Sequence, residues 1–175
     1  MLDLIPFADI GHLFRDFKHT AWRLESRRAY AADLITSRYQ HFLQTGQLLD
    51  DSGDPWVANV AEQLAQGKRF ERVRIVDDPL TDNQRYMLTN AVRRPEDIRV
   101  LSRSQAEAAA LPPADFWLFD SAVLATMHFD ETDRTLGVEL TEETSAVLAA
   151  CQVRDAAWHY AMPARRWAAA VPSLM

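Results

Sequence analysis

Arg74 and Asp78 bracket the end of an apolar run, and Arg85 and Tyr86 follow one short segment later. A guanidinium and a carboxylate at a strand end suit recognition of a small polar molecule, because α/β folds place ligands there. Trp117 and Asp120, further along, add an aromatic surface and a second carboxylate. Trp158 and His159 lie near the end of a long helical stretch, where the helix dipole favours a protonated imidazole. These eight residues are the candidate ligand-binding set, and a small anionic or aromatic ligand is the class they fit. For His159 a plain helix-end surface role competes.

Stronger chemical signatures are missing. Asp115 and Asp120 stand five residues apart on one extended stretch. Regular strand geometry would put them on opposite faces and ~17 Å apart, too far to cooperate as acid and base. They read as the polar ends of a central strand, with Asp120 also forming a turn. The five histidines, His12, His19, His41, His128 and His159, show no three- or four-residue spacing. His128 and Asp130 form only a His-x-Asp pair, so no metal site is assigned. Cys151 is expected on the buried face of a helix, where a thiol is inert. No Gly-x-Ser-x-Gly elbow and no phosphate-binding glycine loop occurs. No catalytic residue and no cofactor is assigned.

Two further features concern partners. Between Lys68 and Arg103 there are nine basic and six acidic residues. Arg69, Arg72 and Arg74 are expected on one strand face, as a solvated sheet edge beside Asp77, Asp78, Glu96 and Asp97 or as an anion groove. Near the end, "MPARRWAAAVP" (162–172) sets Trp167 beside Arg165 and Arg166. An aromatic next to arginines is common in interface hot spots, so these three form a candidate partner surface. A loose chain end is the competing reading.

The elements that hold these residues follow from periodicity. Residues 1–48 are expected to be a helical N-terminal segment packed on a sheet, with "HTAWRLES" between two helices as a short strand. Asp54 and Pro55 open a helix. "RFERVRIVDD" and "EDIRVLSR" alternate as strands. Capping boxes are read at "TDNQ" (81–84) and "SQAE" (104–107). "DFWLFD", "VLATMHF" and "TLGVEL" are expected as an antiparallel meander, followed by a helix from about Glu142 to Ala161. Phe116 and Leu118 should face one side of the sheet, Trp117 and Phe119 the other, so both faces must be covered. The fold class is α/β (α+β): a layered sandwich of a mixed sheet, an antiparallel meander and packed helices.

Chain-level properties agree. The 175 residues suit one domain spanning 1–175, with 48% hydrophobic and 25% charged residues. A net charge of −6 gives no general attraction for nucleic acid. Neither a secretory signal nor an apolar run of membrane-spanning length is seen, and one cysteine excludes an internal disulfide. A cytoplasmic location is expected, and homo-oligomerisation is left open.

"FRDFKHTAWRLESRRAY", "RVRIVDDPLTDNQRYML", "EDIRVLSR", "LPPADFWLFDS", "HFD" and "RDAAWHYAMP" together resemble an uncharacterised actinobacterial domain family, often encoded beside helix-turn-helix regulators. The resemblance runs from Phe14 to Pro163 and implies a cytoplasmic setting and a regulator protein as partner. It brings no catalytic residues. The order of strands and helices also resembles half of a phospholipase D-like domain. That family has His-x-Lys, with Asp five residues after the Lys. With Asp120 set against that Asp, Asp115 takes the Lys place and Pro113 the His place. Neither can attack or hold a phosphate as imidazole and ammonium do.

Two functions therefore stand. One is a non-enzymatic binding or regulatory module, acting with a helix-turn-helix regulator by protein contact or small-molecule sensing. The other is a small-molecule enzyme of hydrolase, lyase or cyclase type in secondary metabolism, with a pocket at the sheet edge.

Overall fold

The computed structural model describes residues 3–170. Its centre is a seven-stranded mixed sheet of order β6-β5-β4-β1-β2-β3-β7. β1 (Thr20–Glu25), β2 (Arg69–Val76) and β3 (Asp97–Ser102) are parallel neighbours. β4 (Asp115–Phe119) runs antiparallel to β1, and β5 (Val123–Phe129) and β6 (Thr135–Thr141) extend it as the expected meander. The two-residue β7 (Met162–Pro163) closes the far edge on β3. Nothing in its sequence announced that strand, because two residues carry no period.

Both faces are covered, as the alternation of β4 requires. On one face Phe116, Leu118, Trp22, Leu24, Val73 and Ile75 pack against α6 (Arg103–Ala108) and α7 (Thr144–Tyr160). On the other, Trp117, Phe119, Ala21 and Phe70 pack under Phe14 of α1 (Leu13–Asp16) and Val60 of α4 (Pro55–Ala65). A third cluster joins Val76, Ile98 and Val100 to Leu88 of α5 (Asp82–Ala91) and Ala164 of α8 (Ala164–Ala170). Among the described residues no helix is long and apolar enough to cross a membrane.

The N-terminal part departs from the expected long helices. It folds as a 3-10 turn (Phe7–Ile10), the short α1, and then α2 (Ala31–Leu34) and α3 (Ser37–Thr45). Thr36 breaks the second stretch, because its hydroxyl accepts from the Tyr39 amide and starts α3 as an N-cap. The short strand read in "HTAWRLES" is β1, at the middle of the sheet instead of a segment lying on it.

Local signals explain the other boundaries. Asp54 caps α4 by accepting from the Trp56 amide at 2.8 Å. Gly46 ends α3 at φ 71°, in the left-handed region that suits glycine. Thr81 and Gln84 form the expected box on α5. The α6 box uses Ser102 and Gln105 instead of Ser104 and Glu107, so the helix starts one turn-fraction earlier. Glu143 is the N-cap of α7, accepting from Ala146, where a first-turn position was expected.

Asp120 organises the entry to the central strand. It sits in the β4–β5 turn at φ 53°, followed by Ser121 at φ 54°. Its carboxylate accepts from the backbone amides of Lys18, His19 and Thr20 at 2.7, 2.7 and 2.9 Å. Burial would raise its pKa, but those three amides together hold it below the ordinary aspartate value. Asp120→Ala should therefore destabilise the protein by about 2 kcal/mol, with Asp120→Asn costing less. Urea denaturation of the two variants measures this.

Candidate functional site

β1 and β2 carry charge where a strand interior is normally apolar. The register pairs Ala21 with Phe70, Arg23 with Arg72 and Glu25 with Arg74. Going up this face, the sheet changes from apolar to ionic over the carboxyl-terminal halves of both strands. Arg72 and Arg74 share this face with Phe70, while Arg69 points to the other side with Val73 and Ile75. The expected solvated arginine edge is thus corrected: β2 lies inside the sheet, and Arg72 is 8% exposed.

Glu25 is the hub. Its carboxylate receives Arg74 Nε at 2.5 Å and Arg72 Nη1 at 3.3 Å, and Arg23 Nε lies 3.2 Å away. Burial alone would push its pKa up. The guanidinium of Arg74, then those of Arg23 and Arg72, overcome this and hold it at about 2. Arg72 also binds Glu96, with Nε and Nη2 both 2.8 Å from Oε1. Arg74 donates to the Met87 carbonyl of α5 at 2.6 Å.

Aromatic surfaces carry the guanidiniums. Arg23 and Arg72 lie 5.3 and 4.9 Å from the Trp117 ring centre, and Arg72 lies 5.2 Å from Trp56. Cation–π attraction suits such weakly hydrated, desolvated cations. Beside them, Asp115 is buried and accepts from the Ser26 amide, the Ser26 hydroxyl and the Tyr30 hydroxyl at 2.8, 2.9 and 2.5 Å. Burial, and next the Asp115 charge, push the Tyr30 hydroxyl well above its ordinary pKa. It is therefore a neutral donor at neutral pH.

A cleft of about 400 Å³ opens over this network. Arg23, Glu25, Arg72, Arg74 and Glu96 form its floor. Its walls come from Tyr30 and Asp33 before and within α2, Trp56 at the start of α4, and Tyr86 and Asn90 on α5. Asp54 fixes Trp56 by capping α4 and also takes Arg38 Nη1 at 2.7 Å. The position agrees with the rule that open α/β sheets bind ligands beyond the carboxyl ends of parallel strands.

The candidate residues are distributed as follows. Arg74 and Tyr86 line this cleft, and Trp117 lies beneath its arginines. Asp78 and Arg85 are exposed; Arg85 pairs with Asp82, and the neighbouring Asp77 makes the contacts to Arg103 and Gln84. Asp120 is the turn anchor described above. Trp158 and His159 border a separate depression on the α7 face, where Arg99 stacks 3.7 Å from the Trp158 ring centre. The expected single ligand set is thus spread over both faces of the sheet.

Trp167 packs half-buried against the chain's own third cluster, and Arg165 donates to the Val92 carbonyl. Arg166 is exposed. The tryptophan anchor is therefore used within the chain. Residues 171–172 of that segment lie outside the described residues. Cys151 is half-buried, not sealed. His128 contacts Glu139 at 3.3 Å across β5 and β6, while Asp130 binds Thr132 and Arg134 in the following turn.

Sequence reasoning missed Arg23, Glu25, Glu96, Tyr30 and Asp33 as site residues. A signal existed for the first two. Arg23-x-Glu25 and Arg72-x-Arg74 repeat charge at the strand period of two, on the strand faces that begin with Ala21 and Phe70.

Comparison with known proteins agrees with this architecture. The family model described as "Domain of unknown function (DUF6879)" matches residues 8–169. No curated protein matches by sequence. Among solved structures, Nuc, a phospholipase D family member from Salmonella typhimurium, matches with a TM-score of 0.54 at 7% identity, over 89% of this chain and 88% of that one. NucT from Helicobacter pylori matches with a TM-score of 0.53 at 6% identity, over 93% and 97%. The fold is phospholipase D-like, as the sequence resemblance implied. Asp115 is held by Ser26 and Tyr30, and Asp120 by three backbone amides.

The hub gives a pH dependence with a defined sign. Glu25 has a lowered folded pKa, so its contribution is complete above about pH 4.5 and is lost as pH falls towards about 2. It amounts to about 3 kcal/mol. The stability difference between the native protein and Glu25→Gln, from denaturant titrations, should shrink over that window and stay constant from pH 5 to about 8.

Proposed function

Since the chain belongs to the DUF6879 family and has the fold of phospholipase D members, we propose that it is a binding module that senses a small molecule in the cleft over β1 and β2. The observation that carries this reading is the make-up of the cleft. Its floor is a preformed array of ionic groups fixed by one another and by Trp117. Such an array can orient a polar ligand without reorganising.

The residue types in the cleft favour binding over nucleophilic chemistry in this reading. Among the described residues no His, Lys, Cys or Ser lines the cleft. Glu25 is held ionised by its arginines, and the Tyr30 hydroxyl is held protonated. Neither is poised to exchange a proton near neutral pH. The output of the module, in this proposal, is contact with a helix-turn-helix regulator. Support for that half comes from the sequence resemblance to actinobacterial proteins encoded beside such regulators.

Thermal denaturation of the full chain with a panel of small anionic and aromatic compounds tests the sensing role. A true ligand at about 100 times its Kd should raise Tm by roughly 5–10 °C. Ala32→Trp, which places bulk at the exposed rim, should abolish the shift. Conversion of a compound to product would instead support the small-molecule enzyme. A shift that survives Ala32→Trp would remove the cleft from the account.

A further inference from the structure

Most charges of the cleft can be matched pair by pair, and two stand apart. Glu25 is bound by Arg74, and Arg72 by Glu96. At the rim Arg38 holds Asp54 at 2.7 Å, Arg94 holds Asp51 at 3.2 Å, and Arg27 holds Asp133. That leaves Asp33, which meets no cation among the described residues, and Arg23, which has only carboxylates that other groups already hold: Glu25, bound by Arg74, and Asp115, bound by Ser26 and Tyr30.

Arg23 is only 8% exposed. Its nearest carboxylate oxygens, on Glu25 and Asp115, are 3.2 and 3.7 Å away, and its buried Nε has no hydrogen-bond partner. A buried guanidinium N–H left without an acceptor is costly. Asp33 is the complement. Its carboxylate accepts one hydrogen bond, from Asn83 Nδ2 at 3.2 Å, and meets no cation within ion-pair distance among the described residues. Burial pushes its pKa up, while the charges of Arg74 and Arg23 reach it and pull the other way. Both groups line the same cleft.

We propose that the cleft takes a free amino acid or similar small zwitterion, its carboxylate on the Arg23 guanidinium and its ammonium on Asp33. This rests on the cleft being the sensing site. A planar carboxylate fits the arginine fork in two parallel hydrogen bonds. A phosphate dianion would bring excess negative charge close to Glu25, Glu96 and Asp115, and a simple cation would meet Arg23. The ligand with one charge of each sign leaves the cleft neutral. Trp56 and Tyr86 in the walls favour a large apolar or aromatic side chain on it.

The experiment uses the full chain and titration calorimetry with three probe series: free L-amino acids, their N-acetyl derivatives and their amides. The free forms of aromatic and large apolar amino acids should bind. Blocking either end should weaken binding by about tenfold or more. Asp33→Asn keeps the side-chain shape and should erase the preference for a free ammonium. Arg23→Gln should erase the preference for a free carboxylate, and Arg23→Lys, which keeps the charge but loses the fork, should only weaken it. Equal binding of free and N-acetyl forms, competed away in Ala32→Trp, would overturn the zwitterion while keeping the cleft as a site. So would a free-amine preference that persists in Asp33→Asn. No binding of any free amino acid at about 1 mM would overturn it as well.

Discussion

One carboxylate surrounded by three guanidiniums, inside a β-sheet, sets the terms for the rest of this structure. Glu25 lies on the central strand and is 4% exposed. Taking such an ion out of water costs several kcal/mol, and the cost is recovered only if partners sit in good geometry. Arg74 and Arg72 provide that geometry from the adjacent parallel strand, because the register brings Arg74 level with Glu25. Each arginine has a second support: Glu96 and Trp117 for Arg72, the Met87 carbonyl for Arg74. Breaking one contact would leave a buried charge with too few partners. The strand alignment, the position of α5 and the orientation of Trp117 are thus linked through one ionic group.

Apolar residues of similar volume often replace buried ion pairs without loss of stability. The other half of the same face is built that way, since Ala21, Phe70 and Phe119 pack there without charge. The ionic half instead borders a cleft. Phospholipase D family members share the strand and helix arrangement; in this chain Asp115 and Asp120 are engaged in fixing backbone. In this chain the ionic side chains lie on the carboxyl-terminal halves of β1 and β2, under the cleft.

Much of the scaffold was legible in the sequence, and the reasons are physical. β4 read as sealed on both faces because DFWLF has no polar side to its alternation, and it pairs with β1 and β5 with all five residues buried. The α5 box and the Asp54 cap were readable because capping is local. The second of the long N-terminal helices failed because Thr36 competes for backbone amides within the stretch. The site was harder. Arg74 and Tyr86 were found from their place at a strand end. Arg23 and Glu25 were passed over because charge on a strand usually marks a solvated face, and only the sheet order puts β1 in the middle. Trp167 resembled a partner anchor from composition, but tertiary packing against the third apolar cluster uses it internally.

A double-mutant cycle between Glu25 and Arg74 tests the central claim most directly. The stabilities of the native chain, Glu25→Gln, Arg74→Met and the double variant would be measured at neutral pH by denaturant unfolding. Dependence of the fold on this pair predicts a coupling energy of about 2 kcal/mol or more. A coupling below about 0.5 kcal/mol would mean that the two charges act independently, and would contradict the account.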